Sequence, residues 1–261
     1  LYRCANGGNM ELTGKRVLIT GSSRGIGLAT AITFASKGAL IAINGRTDGS
    51  TQAALSKFPD PGNVIPIPGD VSRLDGCASV VEQATDTLGG LDVLVNNAGV
   101  ASFCSIDETD EQIWDNTIDT NLKSTYFCIK AALDALRASQ GNIVNVASDA
   151  GLQGEAGLTA YCASKGGVVI LTKALAIELA PQVRVNCVCP GYVDTDLVRR
   201  DNIDKATDPA AEEQRLLSMA PLHRLADPSE VGHVIAFLAS DHAKNVTGAT
   251  WQIDGGSTAG Q

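Results

Sequence analysis

The chain has 261 residues, with 20 Lys and Arg against 29 Asp and Glu, a formal net charge of −9, and 44% hydrophobic residues. That apolar share argues against disorder, and an acidic balance without a basic cluster argues against nucleic acid or an anionic membrane as partner. No run of about 18 apolar residues appears, so what remains is a globular protein rich in glycine (27 residues) that handles a small molecule.

Residues 1–10 carry no basic segment followed by an apolar one, so they read as an expression remnant or a frayed extension rather than a secretion signal. Beyond them, short apolar runs at Arg16–Thr20, Leu40–Asn44, Val64–Ile67, Leu91–Asn96, Asn142–Ala147, Val183–Cys189 and Ala249–Ile253 read as strands. Helical segments are expected between them, at Gly25–Lys37, Ser72–Leu88, Ile113–Ala138, Thr159–Ala180 and Pro228–Ser240. Strands apolar on both faces and separated by helix-length segments predict an α/β fold, a doubly wound parallel sheet flanked by helices. No linker or repeat divides the chain, so one domain is expected over residues 11–261. The strandless, charged stretch at about 192–227 is expected to be a substrate loop. Seven cysteines, odd in number and scattered, predict reduced thiols and a cytoplasmic location rather than disulfides. Cys187 and Cys189 share a strand face with no histidine nearby in sequence, and no metal site is expected.

The first strand runs into Thr20-Gly21-Ser22-Ser23-Arg24-Gly25-Ile26-Gly27 and then an apolar helix. Unpaired N–H groups at such a helix start suit a pyrophosphate, and glycines let it approach the backbone. The spacing departs from the usual G-x-G-x-x-G, and a glycine turn can also be merely structural. The second strand ends in Asn44-Gly45-Arg46, without the acidic residue that holds a ribose 2′-hydroxyl in NAD sites. Arg46, helped by Arg24, offers a guanidinium for a 2′-phosphate, so NADP(H) is expected over NAD(H); solvated surface arginines are the plainer alternative.

Tyr161 and Lys165 stand four apart at the start of a helical run, hence on one face. A tyrosine near pKa 10 becomes a base only if a cation beside it favours the phenolate, and Lys165 is placed to act so. Ser148 follows the fifth strand and could hold a substrate oxygen beside the phenol.

These motifs, with Asn96-Asn97-Ala98-Gly99 and Pro190-Gly191, resemble the short-chain dehydrogenase/reductase family, in family order from about Leu12 to Gly256. The resemblance implies a Rossmann fold and hydride transfer between a nicotinamide and a ketone or secondary alcohol. It implies Tyr161 as general acid/base, Ser148 as the group orienting the oxygen, and Lys165 as holder of the nicotinamide ribose. Asn121 would anchor a water leading to the lysine. Cofactor contacts would come from Gly21, Ser23, Arg24 and Ile26 in the glycine turn, Arg46, and Asp70 and Val71 at the adenine. Asn97, Ala98 and Gly99 would close over the cofactor, and Pro190, Gly191, Val193 and Thr195 would meet the nicotinamide.

Arg199, Arg200 and Arg215 in the long loop either receive an acidic carrier, as in the family's 3-oxoacyl reductases, or lie solvated. The helix Thr159–Ala180 is apolar nearly all round, so its outer face is expected to meet another subunit, and the resemblance implies a homotetramer, or else a homodimer. A non-catalytic NADP(H)-binding sensor is the rival from another class; such proteins tend to lose the Tyr/Lys pair or the serine.

Overall fold

The structure is a computed structural model that describes residues 12–260; the extension expected over residues 1–10 lies outside them. Seven strands form one parallel sheet in the order β3-β2-β1-β4-β5-β6-β7. They are β1 (Arg16–Ile19), β2 (Leu40–Gly45), β3 (Val64–Pro68), β4 (Val93–Asn96), β5 (Asn142–Val146), β6 (Arg184–Pro190) and β7 (Thr250–Ile253). All seven expected strands are present, with ends moved by one or two residues.

Alternate residues of each central strand enter opposite core layers, as the two-residue repeat of a strand requires. Val17, Ile19, Val93, Val95 and Val144 pack on one face against α1 (Gly25–Ala35) and α9 (Pro228–Ala239), around Phe34 and Ile235. Leu18, Leu94 and Ile143 pack on the other, against α3 (Leu74–Leu88), α5 (Ser124–Ser139) and α6 (Thr159–Glu178). The Arg16 guanidinium and Asp92 carboxylate pair at 2.8 and 2.9 Å where β1 and β4 begin, clamping the bottom of the two middle strands.

Two segments depart from the sequence pattern. Helix α2 (Asp48–Leu55) was not expected, because Asp-Gly-Ser-Thr has no apolar stripe; a capping box between Thr47 and Ser50 starts it instead. The single helix expected at Ile113–Ala138 is broken into α4 (Glu111–Ile118), a π-helical turn at Asp119–Lys123, and α5. The expected substrate loop carries α7 (Asp196–Arg199) and α8 (Pro209–Met219), and a bridge between Val193 and Ala226 ties its two ends.

Among the described residues α6 alone is long and apolar enough by composition to cross a membrane, yet its inner stripe packs on the sheet. Its other side leaves Ile170 64% and Ile177 83% exposed.

Leu94 sits at the sheet centre with no exposed surface. Leu94→Ala is expected to lower stability by about 2–5 kcal/mol, read as a shifted urea midpoint with an unchanged slope.

Candidate active site

The strand order reverses between β1 and β4, and such a reversal opens a crevice at the carboxyl ends of the strands. The turn after β1 builds one wall. Gly21 takes φ +61°, and a Cβ there would lie 2.6 Å from the Ala98 Cα, so only glycine fits. Thr20 Oγ1 accepts hydrogen bonds from the Asn97 and Ala98 amides at 3.1 Å. Asn97 Nδ2 donates back to the Thr20 and Gly21 carbonyls at 3.0 and 2.9 Å. Asn44 secures the turn from the other side: its Oδ1 accepts from Gly21 N at 3.2 Å, while its Nδ2 reaches the Ile67 and Gly69 carbonyls. A polar residue closing an apolar strand was the sequence signal for Asn44.

Helix α1 starts from this turn with no side-chain cap at Arg24 and no acidic residue in its first turn. Its leading amides therefore keep their hydrogen-bonding capacity and the positive end of the helix dipole. Together with the close-packed glycines, this is a cradle that fits a pyrophosphate.

A cleft of about 810 Å³ opens above the sheet. It gathers the glycine turn with Ser23, Arg24 and Ile26, then Arg46, Asp70 and Val71, then Asn97, Ala98 and Gly99. Ser148, Tyr161 and Lys165 line it too, as do Pro190, Gly191, Val193 and Thr195. Asn121 is the one sequence-assigned residue outside this lining. It is buried in the π-helical turn, where Oδ1 accepts from Val100 N at 2.8 Å and Nδ2 donates to Val100 O and Ser164 Oγ at 2.9 and 3.0 Å. Ser164 in turn donates to the Tyr161 carbonyl at 2.8 Å, so Asn121 joins the loop after Gly99 to the helix that carries Tyr161.

Arg46 is exposed at the cleft edge and enters no ion pair among the described residues, whereas an Arg24 nitrogen lies 3.8 Å from Asp196 Oδ2. Lys165 is 4% exposed; its Nζ donates to Val146 O at 2.9 Å and lies 5.7 Å from the Tyr161 ring centre. Burial pulls the lysine down to about 8. The Tyr161 phenol moves opposite to the expectation from sequence. Burial lifts it above its ordinary value, with the Asp149 and Glu155 carboxylates acting the same way and the Ser148 hydroxyl against them. The cation at 5.7 Å does not reverse that, so in the protein alone the phenol keeps its proton at neutral pH.

The long loop's arginines are all engaged with acids. Arg199 pairs with Asp194 and Glu213, Arg200 with Asp201, Arg215 with Glu212, and Arg224 with Glu230. No group of three or more His, Cys, Asp and Glu side chains able to hold a metal occurs among the described residues.

Comparison with known proteins agrees with this geometry. Residues 21–258 match a family model described as enoyl-(acyl carrier protein) reductase. The chain is 40% identical over 251 residues to the 3-oxoacyl-(acyl-carrier-protein) reductase FabG of Thermotoga maritima, covering 95% of this chain and 99% of that one. It is 39% identical over 254 residues to the oxidoreductase UcpA of Salmonella typhimurium, covering 95% and 96%. A crystal structure described as a short-chain alcohol dehydrogenase from Sinorhizobium meliloti superposes with a TM-score of 0.89 at 36% identity, over 96% of this chain and 98% of that one. Fold, cleft and relatives define an oxidoreductase acting on CH–OH and C=O groups. The chain belongs to the short-chain dehydrogenase/reductase family.

The depressed Lys165 pKa has a consequence for stability. The unfolded chain binds this proton up to about 10.5 and the folded one only up to about 8, so below 8 the buried ammonium opposes folding, and the opposition fades between those values. Lys165→Met is therefore expected to melt no lower than the parent at pH 7, with its advantage shrinking from pH 8 toward 10.5 in calorimetry.

Proposed function

We propose that this enzyme reduces a small, uncharged ketone, and oxidises the matching secondary alcohol, using NADP(H) in preference to NAD(H). The observation that carries the reading is the convergence of the glycine turn, Arg46, Ser148, Tyr161 and Lys165 on one cleft. Arg46 ends the turn after β2 and Ser148 the turn after β5, three strand spacings apart, or roughly 14 Å. Such a distance suits a dinucleotide, whose pyrophosphate the start of α1 would hold and whose nicotinamide end Tyr161 and Lys165 would face. Arg46, with Arg24 behind it, supplies the charge for a 2′-phosphate, and β2 ends in Asn44-Gly45 without an acidic residue to repel it.

When bound, the nicotinamide supplies or accepts the hydride. The chain's own residues handle the oxygen. Ser148 holds it, Tyr161 gives it a proton during reduction or takes one during oxidation, and the Lys165 ammonium biases the phenol toward releasing that proton. Asn121 serves as a positioning residue that keeps the Gly99 turn and α6 in register. Asp70 and Val71 fit the adenine end, and Val193 and Thr195 the carboxamide end.

The acid-paired arginines of the loop support a free small molecule over a substrate on an acidic carrier. A 3-oxoacyl thioester reductase is the second reading, favoured by the names of the FabG relatives. The retained Ser148, Tyr161 and Lys165 speak against a non-catalytic sensor. The exposed stripe of Ala163, Ile170, Ala174 and Ile177 on α6 supports burial against another subunit in a homotetramer or homodimer. Six unpaired thiols among the described residues fit a reducing, cytoplasmic setting. The reading takes residues 11–261 as one domain, with 192–227 as its substrate loop.

Tyr161→Phe is expected to lower kcat about 10²–10⁴-fold in an NADPH-consumption screen over ketones and acyl thioesters, while cofactor fluorescence still titrates. Unchanged turnover refutes the assignment. Arg46→Ala is expected to weaken NADPH binding about tenfold or more and leave NADH binding unaltered; equal loss for both contradicts the 2′-phosphate site.

A further inference from the structure

Ser148 does not stand alone in this structure. Its hydroxyl donates to Asp149 Oδ1 at 3.0 Å while its oxygen accepts from the Ala150 amide at 3.2 Å. A hydroxyl has one proton, so while Asp149 takes it, Ser148 offers the cleft only a lone pair. A substrate carbonyl needs donors. Asp149 is 6% exposed, and its other contacts are the Ala150 amide at 2.8 Å and Ser257 Oγ at 3.1 Å. Ser257 also reaches Asp254 Oδ2 at 3.2 Å, just past β7. A second cavity of about 560 Å³ is lined by Asp149, Asp254, Ser257 and Tyr192 but not by Ser148, which lines only the first cleft.

We propose that Asp149 is a positioning residue whose carboxyl sets the direction of the Ser148 hydroxyl. Ionised, it holds the serine proton away from the cleft; protonated, it gives its own hydrogen bond and releases the serine proton toward the substrate oxygen. The inference rests on the reading that Ser148 meets that oxygen. Burial raises the carboxyl toward neutrality, the repulsion of Asp254 adds to this, and the hydrogen bonds from Ser148, Ser257 and Ala150 oppose it. The other titratable groups facing it are Glu155 in the same loop, Tyr161 and Cys162 on α6, and Tyr192 after β6.

The test is the pH dependence of kcat for ketone reduction, with carboxyl-carbon NMR of Asp149 as a readout that needs no turnover. In the parent, kcat rises as pH falls through the Asp149 titration. Ser257→Ala removes a donor that favours the anion, so both the kinetic limb and the NMR midpoint move up by about half a pH unit or more. Ser148→Ala raises the NMR midpoint likewise. Asp149→Asn is isosteric and does not titrate, so it abolishes the limb and leaves kcat at one level across that pH range. Placed on top of Ser148→Ala, it costs nothing further, since it acts through that serine. Additive losses, a limb that survives Asp149→Asn, or an NMR midpoint unmoved by Ser148→Ala overturns the proposal. Full activity in Ser148→Ala instead overturns the reading of the site beneath it. If Asp149→Asn fails to fold, the Ser257→Ala shift and the NMR midpoints decide.

Discussion

The closeness of two turns governs this molecule. The chain leaves β1 at Gly21 and leaves β4 at Asn97, and the two turns touch where a Cβ on Gly21 would come within 2.6 Å of the Ala98 Cα. Thr20 and Asn97 satisfy each other's backbone groups across this contact, which offsets the cost of burying them. With the turns fixed, the start of α1 is fixed, and its free amides face the gap opened by the reversal of strand order. Gly99, two residues along the second turn, then comes so near the inner end of the site that a Cβ on it would lie 3.4 Å from Lys165 Nζ and from Asn121 Oδ1. The glycine turn at the start of α1 and the Lys165–Asn121 end of the cleft are thus two sides of one backbone contact.

How much of this was legible depended on whether the signal was periodic. Strands such as Val17–Ile19 and Val93–Val95 are buried on both faces and read as uninterrupted apolar runs, which is why all seven appear in the sequence. Helix α2 starts from a Thr47–Ser50 hydrogen-bond exchange rather than an apolar stripe, so periodicity passed over it. The π-helical turn that divides α4 from α5 inserts one residue into an otherwise continuous pattern, and nothing in Asp119–Lys123 marks it. In the cleft, fixed spacings carried nearly everything. Asn121, known only by resemblance, lies behind the lining, and Asp149 was not singled out because a carboxylate after a strand reads as an ordinary turn residue.

Charge is distributed in a way the total of −9 conceals. The arginines of the long loop are each paired with neighbouring acids, so none of them presents an unpaired positive charge. Such exposed pairs contribute little stability each, but they fix which surface carries usable positive charge. That surface is the end of the cleft beside β2, where Arg46 has no acidic partner among the described residues and Arg24 has only a loose one. An acidic enzyme can therefore take an anionic cofactor, because the local field at Arg46 and the α1 terminus opposes the field of the whole.

At the reacting end the chain stabilises neutral forms. Burial raises the Tyr161 phenol, lowers Lys165 to about 8 and raises Asp149, so each group resists its charged state. With the proposed roles, carbonyl reduction meets a prepared state: the phenol already carries the proton to be given, and a protonated Asp149 would leave the serine hydroxyl free to point at the oxygen. Alcohol oxidation asks the reverse, a phenolate in a site flanked by Asp149 and Glu155, and below about pH 8 the chain's own counterweight is the Lys165 ammonium at 5.7 Å from the ring. The common cause of all three shifts is desolvation rather than any single ion pair, and with the proposed roles it favours the protonated phenol that reduction requires.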